Sequence, residues 1–525
     1  MKNIKILDCT LRDGGYINDF NFGKAGIKKI ISQLTISGID IIECGFLEDG
    51  EYNHDYSVYT TVEQIKEFLP HERGNSMYVA MACYGEYDIN QLTEYDGTSI
   101  DGIRVTFHYN EVAEALVYCK AIMDKGYKVF VQPVGTTSYS DEQLLQLIKH
   151  VNELQPYAFY LVDTLGLMHP NDVLRFFYLI DHNLQKTIHM GFHSHNNLQL
   201  SYSNCQTLAQ LVTERIISLD SSVYGMGRGA GNLNTELIAN YLNERNGRKY
   251  EIEPLLEVVD EYILNIKKDH EWGYNVPYYL AAINGCHPNY ASYLSQKQTL
   301  TVKNIGTILR MIEPENRSLF NKSIAEAKYK LFQDREVDDN DSISFLKKAM
   351  AGKNVLLLAP GPSLTYSKEK ITELAKTMDC VVVSASFVPE FIECNYTFLS
   401  NQKRFNTTFN PNRMALNLIH TSNIIIDSDT AITVNYSSLL NEDDIIIDNS
   451  TLMFLNLLVK IQPEKVFLAG FDGYNTDGVN YYQNRLQFSQ DKETLVAINK
   501  AITHKVAELK HHLNIEFLTK SIYEQ

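Results

Sequence analysis

In the stretch IKILDCTLRDGGY, Ile4 to Tyr16, a short apolar run stops abruptly on two carboxylates, an arginine and two adjacent glycines. Asp-Gly-Gly is good turn chemistry, so a plain surface turn would explain it. A strand that delivers charged residues into a loop also describes an active-site loop on a rigid support. The choice depends on whether the same pattern, strand then polar end, recurs along the chain.

It does recur. After the run at 4–8 come IDIIECGF at 39–46 and further apolar runs at 76–84, 102–107, 127–134, 157–163, 187–193 and 215–223. Stretches with helical spacing, such as AGIKKIISQLTISG and DEQLLQLIKHVNEL, separate them. Eight strands alternating with helices predict an α/β fold, a closed (β/α)₈ barrel over residues 1–250. A doubly wound open sheet is the alternative, and the even spacing favours closure.

In such a barrel the chemistry sits at the carboxyl ends of the strands. Those ends carry Asp8 with Arg12 and Asp13, then Glu43, Arg104 with His108, Gln132, and Asp163 with Thr164. The seventh run ends in HSHNN, 193–197, and the eighth leads into GMGRGAGN, 225–232. His193 and His195 are two residues apart on a strand, so both imidazoles face one side. Two histidines and a carboxylate are a common metal set that leaves positions open for substrate. Two hydrogen-bonded surface histidines are the plainer reading. Asp163 either orients a ligand or caps the helix near Pro170, and Glu43 with Arg104 reads as an internal ion pair. Asn232 either touches the metal shell or fixes the glycine loop.

TLRDGG (10–15), GFHSHNN (191–197) and GMGRGAGN (225–232), in this order, resemble the metal-dependent pyruvate aldolase and HMG-CoA lyase superfamily. The resemblance covers roughly residues 1–300. It implies (β/α)₈ barrels that make or break a carbon–carbon bond through an enolate. It implies Asp13, His193 and His195 as metal ligands and Arg12 as the charge that stabilises the enolate. The glycine loop lacks the cysteine of the lyases, and RDGGY differs from the RDGEQ of the acyl-CoA condensing synthases. The pattern is closer to 4-hydroxy-2-oxovalerate aldolase, in which the tail after the barrel supplies a tyrosine. NGCHPNYASYL, 284–294, is similar to that stretch, which points to Tyr290. The aldolase's base histidine is replaced here by Tyr16, so Tyr16 orients substrate and the base is sought in His287 or His108. Mn²⁺ or Mg²⁺ fits better than Zn²⁺, because no thiolate is in the set.

Residues 251–333 turn helix-rich and are expected to complete the barrel site; acidic residues around QDREVDDNDS make 334–349 a linker open to cutting. Alternation restarts at 354–364, 379–387, 423–429, 444–448 and 465–474, predicting a Rossmann-like domain over 350–525. LLLAPGPSL is a strand, a glycine loop and a helix, the arrangement that presents backbone N–H groups to phosphate. With SASF, STLMFLNLLV and FLAGFDGY it resembles the nucleotide-binding fold of sialyltransferase-like and motility-accessory glycosyltransferase proteins. That implies nucleotide or nucleotide-sugar contact at Gly361, Ser363 and Asp472; a scaffold without a ligand is the alternative.

The 525 residues are 44% hydrophobic and carry a formal net charge of -17, which argues against nucleic acid as a partner. Eight cysteines include no Cys-x-x-Cys pair, and no apolar run approaches a membrane span. The expectation is a cytoplasmic homo-oligomer with two activities. Its barrel is a carbon–carbon lyase acting on a 2-oxo acid and an aldehyde, in the making of a cell-surface carbohydrate. The alternatives are an acyl-CoA Claisen synthase and a binding scaffold with a relict barrel.

Overall fold

A computed structural model describes residues 3–247, 250–297, 299–408, 418–426, 431–476, 478–483 and 491–524. Eight parallel strands close the barrel: Ile4–Asp8, Ile41–Leu47, Met77–Cys83, Gly102–Phe107, Lys128–Pro133, Ala158–Asp163, His189–Ser194 and Ile217–Ser221. Closure is set by the first strand, which pairs Leu7 with Ile41 on one side and Ile4 with Ile217 on the other. The outer helices start where the sequence can satisfy their free N–H groups. Ser140 and Gln143 form a capping box ahead of Asp141–Leu154, and Pro170 occupies the first turn of Pro170–Asn183. Leu144, Leu147, Ile148 and Val151 recur at helical spacing and are buried on one face.

The barrel unit comprises residues 1–292 and 312–321; the second unit takes 293–311 and 322–525. The helical stretch 251–333 is therefore divided between two units rather than serving the barrel alone. The segment read as a linker also differs. Asn340–Met350 is a helix whose Leu346 and Met350 are fully buried in the core of the second unit. Its charges sit on one face, and the apolar residues spaced between them supply the other.

The second unit is built on seven parallel strands. Their spatial order is Ile432–Val434, Leu418–Thr421, Tyr396–Leu399, Val381–Ala385, Asn354–Leu358, Lys465–Ala469 and Ile515–Phe517. The run expected as a strand at 444–448 is a set of turns with Ile445 exposed. At 423–429, residues 427–429 lie outside the described residues, and the strand falls just before, at Leu418–Thr421. No helix among the described residues is long and apolar enough to cross a membrane.

Candidate active site

The loop after the first strand folds back on itself through Asp13 N–H donating to the Cys9 carbonyl at 2.8 Å. This turns the Asp13 carboxylate inward, where its Oδ1 accepts from Arg12 Nη1 at 2.7 Å. His193 lies within the seventh strand and His195 just beyond it, on the same side. One ligand atom each from Asp13, His193 and His195 lies within 4.8 Å of the other two. The opening stretch is not a surface turn: Arg12 and Asp13 are both buried.

Both imidazoles are oriented from behind. His193 Nδ1 pairs with Asp220 Oδ2 at 2.9 Å, and His195 Nδ1 lies 3.3 Å from the Asp163 carbonyl. Each Nε2 is thereby left toward Asp13, and His195 Nε2 is 3.6 Å from Asp13 Oδ2. A carboxylate or carbonyl behind a histidine is the usual support of a metal ligand. Burial holds the His193 imidazole below its ordinary range despite the pull of Asp220, so it is neutral, as a ligand must be. Burial pushes the Asp13 carboxyl up, but Arg12 and the two histidines win and hold it well below the carboxylate range.

Behind these groups runs a chain of buried charges. Arg12 Nε donates to Glu43 Oε2 at 2.9 Å, Arg104 Nη1 donates to the same oxygen at 2.7 Å, and Arg104 Nη2 reaches Asp220. Arg104 also rests 4.9 Å from the centre of the Tyr160 ring. The ion-pair reading of Glu43 and Arg104 therefore holds, and it links Arg12 to His193. Asp220, inside the eighth strand, is the member that sequence reasoning missed. Two guanidinium groups face three carboxylates here, which leaves the buried network one positive charge short.

The residues fit a divalent ion. Asn232 donates through Nδ2 to Asp13 Oδ2 at 2.5 Å and to the Met226 carbonyl, while its own Oδ1 is buried without a partner. A Cβ at Gly227 would fall 2.3 Å from that Asn232 nitrogen and 2.9 Å from Asp13 Oδ2, so only glycine leaves the space beside the carboxylate. Asn232 thus both fixes the glycine loop and faces the centre. Asp163 uses its carboxylate as a cap, accepting from the Leu167 and Met168 N–H groups at 2.9 and 3.0 Å.

Other expectations shift. Tyr290 is fully buried, and its hydroxyl is engaged with the carbonyls of Asn316 and Leu319 and the N–H of Asn321. It staples the segment Ile312–Asn321, and its hydroxyl is spent there. His108 is exposed at the start of a short turn, Tyr109–Glu111. His287 lies within electrostatic reach of the centre: burial, followed by Arg228 and His195, pushes it down to about 4. Its Nδ1 accepts from the Asn289 N–H at 3.2 Å, so the neutral ring carries its proton on Nε2 and acts as a donor, not a base. Tyr16 packs edge-on against Phe20 and Phe46, and burial pushes its phenol up to about 12.

In the second unit, Gly361, Ser363 and Asp472 come together, but on one another. Ser363 donates its N–H and its hydroxyl to the two Asp472 oxygens at 2.7 and 2.5 Å. A Cβ at Gly361 would fall 2.3 Å from the Gly470 carbonyl oxygen and 2.8 Å from the Asp472 carboxyl group. Both Ser363 donors are therefore spent on a protein carboxylate. Next to this loop lies a cavity of about 290 Å³, lined among others by Gly361, Asn401, Arg404, Asp448, Gly470 and Asp472.

Fold and site together define the class: a (β/α)₈ barrel whose carboxyl end gathers a two-histidine, one-carboxylate set able to hold a divalent ion with positions to spare. Residues 3–260, just under half of the chain, match the family model described as HMGL-like. A 4-hydroxy-2-oxovalerate aldolase of Geobacillus genomosp. 3 is 27% identical over 267 residues, 50% of this chain and 77% of that protein. An oxaloacetate decarboxylase of Mycobacterium tuberculosis (strain ATCC 25618 / H37Rv) is 25% identical over 248 residues, 46% of this chain and 70% of that one. Among solved structures, the N-terminal domain of a candidate aldolase from Bacteroides vulgatus is 26% identical, with a TM-score of 0.49 over 59% of this chain and 100% of that chain.

Proposed function

We propose that the barrel is a divalent-metal-dependent lyase that forms or breaks a carbon–carbon bond of a 2-oxo acid, in the manner of the 4-hydroxy-2-oxovalerate aldolases it is similar to. One observation carries the reading: Asp13, His193 and His195 converge beside Arg12, whose Nε and Nη1 are spent on Glu43 and Asp13 while Nη2 is left for substrate. A divalent ion on the three ligands supplies Lewis-acid polarisation of a carbonyl. Mn²⁺ or Mg²⁺ suits a set without thiolate better than Zn²⁺. Arg12 adds a fixed positive charge where negative charge develops on that oxygen. Its planar fork is held at two points, which lysine could not reproduce. Tyr16 stays a phenol at neutral pH and can hand a hydrogen bond to the carbonyl oxygen of the second substrate, an aldehyde. His287 Nε2 is a second neutral donor.

The test needs no knowledge of the aldehyde. Full-length protein with Mg²⁺ or Mn²⁺ should exchange the methyl protons of pyruvate in D₂O, read by NMR, and a chelator should stop it. Metal-loaded protein that leaves the pyruvate signal untouched would leave the barrel a binding scaffold.

For the second unit the reading is a nucleotide or nucleotide-sugar site in the cavity beside Gly361. It is supported by position: the cavity lies at the carboxyl ends of Asn354–Leu358 and Lys465–Ala469, between which the strand order reverses. Such a crevice is where open α/β sheets take ligands. With a sugar carrier there, the barrel's product would enter the synthesis of a surface carbohydrate. Calorimetry of the full chain against common nucleotides, cytidine forms first, should give saturable binding. If all of them fail, the unit has a structural role.

A further inference from the structure

We infer that Arg228 is an anion-recognition residue of the barrel, and that the second substrate carries an oxyanion, a carboxylate or a phosphate, away from its reacting carbonyl. The inference rests on the reading of the barrel as a lyase, and it names the class of compound that reading left open.

Arg228 is the one bulky charged residue in the glycine-rich loop GMGRGAGN. The loop itself is pinned. Asn232 holds the Met226 carbonyl, Asn197 accepts from the Ala230 N–H at 3.0 Å, and the Gly231 N–H donates to the Arg228 carbonyl at 3.0 Å. The guanidinium therefore hangs from a fixed backbone. Its carbon lies 4.0 Å from the centre of the Tyr16 ring, close enough for a cation–π contact that sets its position. Its charge is also felt at His287. Arg228 thus lies against one of the neutral donors assigned to the second substrate, Tyr16, and within electrostatic reach of the other, His287.

What separates it from the buried arginines of the barrel, Arg12, Arg104 and Arg215, is its lack of a partner. Arg12 and Arg104 are neutralised by Glu43, Asp13 and Asp220, and Arg215 by Asp181. Among the described residues Arg228 makes no hydrogen bond or ion pair through its side chain. The carboxylate on its side of the centre, Asp13, is already shared by Arg12, Asn232 and His195. A half-buried guanidinium held flush on an aromatic ring offers its N–H fork to a planar or tetrahedral oxyanion. The 2-oxo acid's own carboxylate has Arg12 and the ligand cluster beside it, so the open charge falls to the other substrate.

The experiment compares matched aldehydes in addition to pyruvate by the metal-loaded full chain: glycolaldehyde phosphate against glycolaldehyde, and glyoxylate against acetaldehyde. Wild type should prefer the charged member of at least one pair by about tenfold to a hundredfold in kcat/KM, the range of a charge-assisted hydrogen bond. Which pair shows it distinguishes phosphate from carboxylate. In Arg228→Gln the ratio should collapse toward one, and Arg228→Lys should restore part of it. No preference in a wild type that exchanges pyruvate protons overturns the inference, and so does a ratio that survives Arg228→Gln. A wild type that exchanges no protons overturns the lyase reading instead. Calorimetric titration with inorganic phosphate then decides Arg228 by itself: binding weakened at least about tenfold by Arg228→Gln upholds an anion site, and equal binding ends it.

Discussion

Replacing His193 and His195 together by alanine is expected to strip the protein of divalent metal and with it all pyruvate proton exchange. Wild type should carry about one ion per chain; the double variant should carry almost none by elemental analysis. The loss is the largest in prospect because the two imidazoles supply two of three ligands, and Asp13 alone is one carboxylate already shared by Arg12 and Asn232. His195→Ala by itself, near the mouth and only partly buried, separates loss of a ligand from damage to the core. Asp220→Asn should keep the ligands yet weaken metal affinity about 10–100-fold, as the loss of outer support generally does. A double variant as fully loaded as wild type would end the ligand assignment.

Arg12→Ala is expected to lower kcat for proton exchange by roughly 10²–10³-fold, about 2.7–4 kcal/mol, by comparison with the deletion of a single oxyanion donor. Metal should remain bound, since no ligand is removed. Arg12 also neutralises Glu43, so some stability is lost with it. A melting curve and the companion Arg12→Lys distinguish that cost: lysine keeps a charge for Glu43 but loses the two-point fork. Exchange at an undiminished rate in Arg12→Ala would remove the role.

The barrel was legible in the sequence because its strands are buried on both faces and announce themselves as apolar runs of even spacing. All eight fall within a few residues of their expected places. The convergence of His193 and His195 was legible because i and i+2 of one strand must share a face. Asp220 was not, since its partners stand 27 and 116 residues away and nothing local marks it. His287 was found, but its role turns on a hydrogen bond from Asn289 that fixes the tautomer, and no spacing reveals that. In the second unit, short strands such as Ile432–Val434 and Ile515–Phe517 carry too few residues to show a period. The apolar triplet Ile445–Ile447 looks like a strand, yet only Ile446 is fully covered and the backbone turns. The acidic 334–349 stretch hid a helix, because charge density masked the few residues that pack.

The division of the chain between its two units bears on the order in which the protein is made. Residues 293–311 belong to the second unit, 312–321 return to the first, and 322 onward belong to the second again. The ribosome therefore delivers part of the later unit before the earlier one is complete. A nascent barrel waits for Asn316, Leu319 and Asn321, the residues that engage the buried Tyr290 hydroxyl, before its last segment can be fastened. It follows that no single cut parts the two units intact. A cut after 292 deprives the barrel of its closing segment, 312–321, and a cut after 321 deprives the second unit of its first, 293–311. A gene for this protein could not be assembled by laying one finished half after the other.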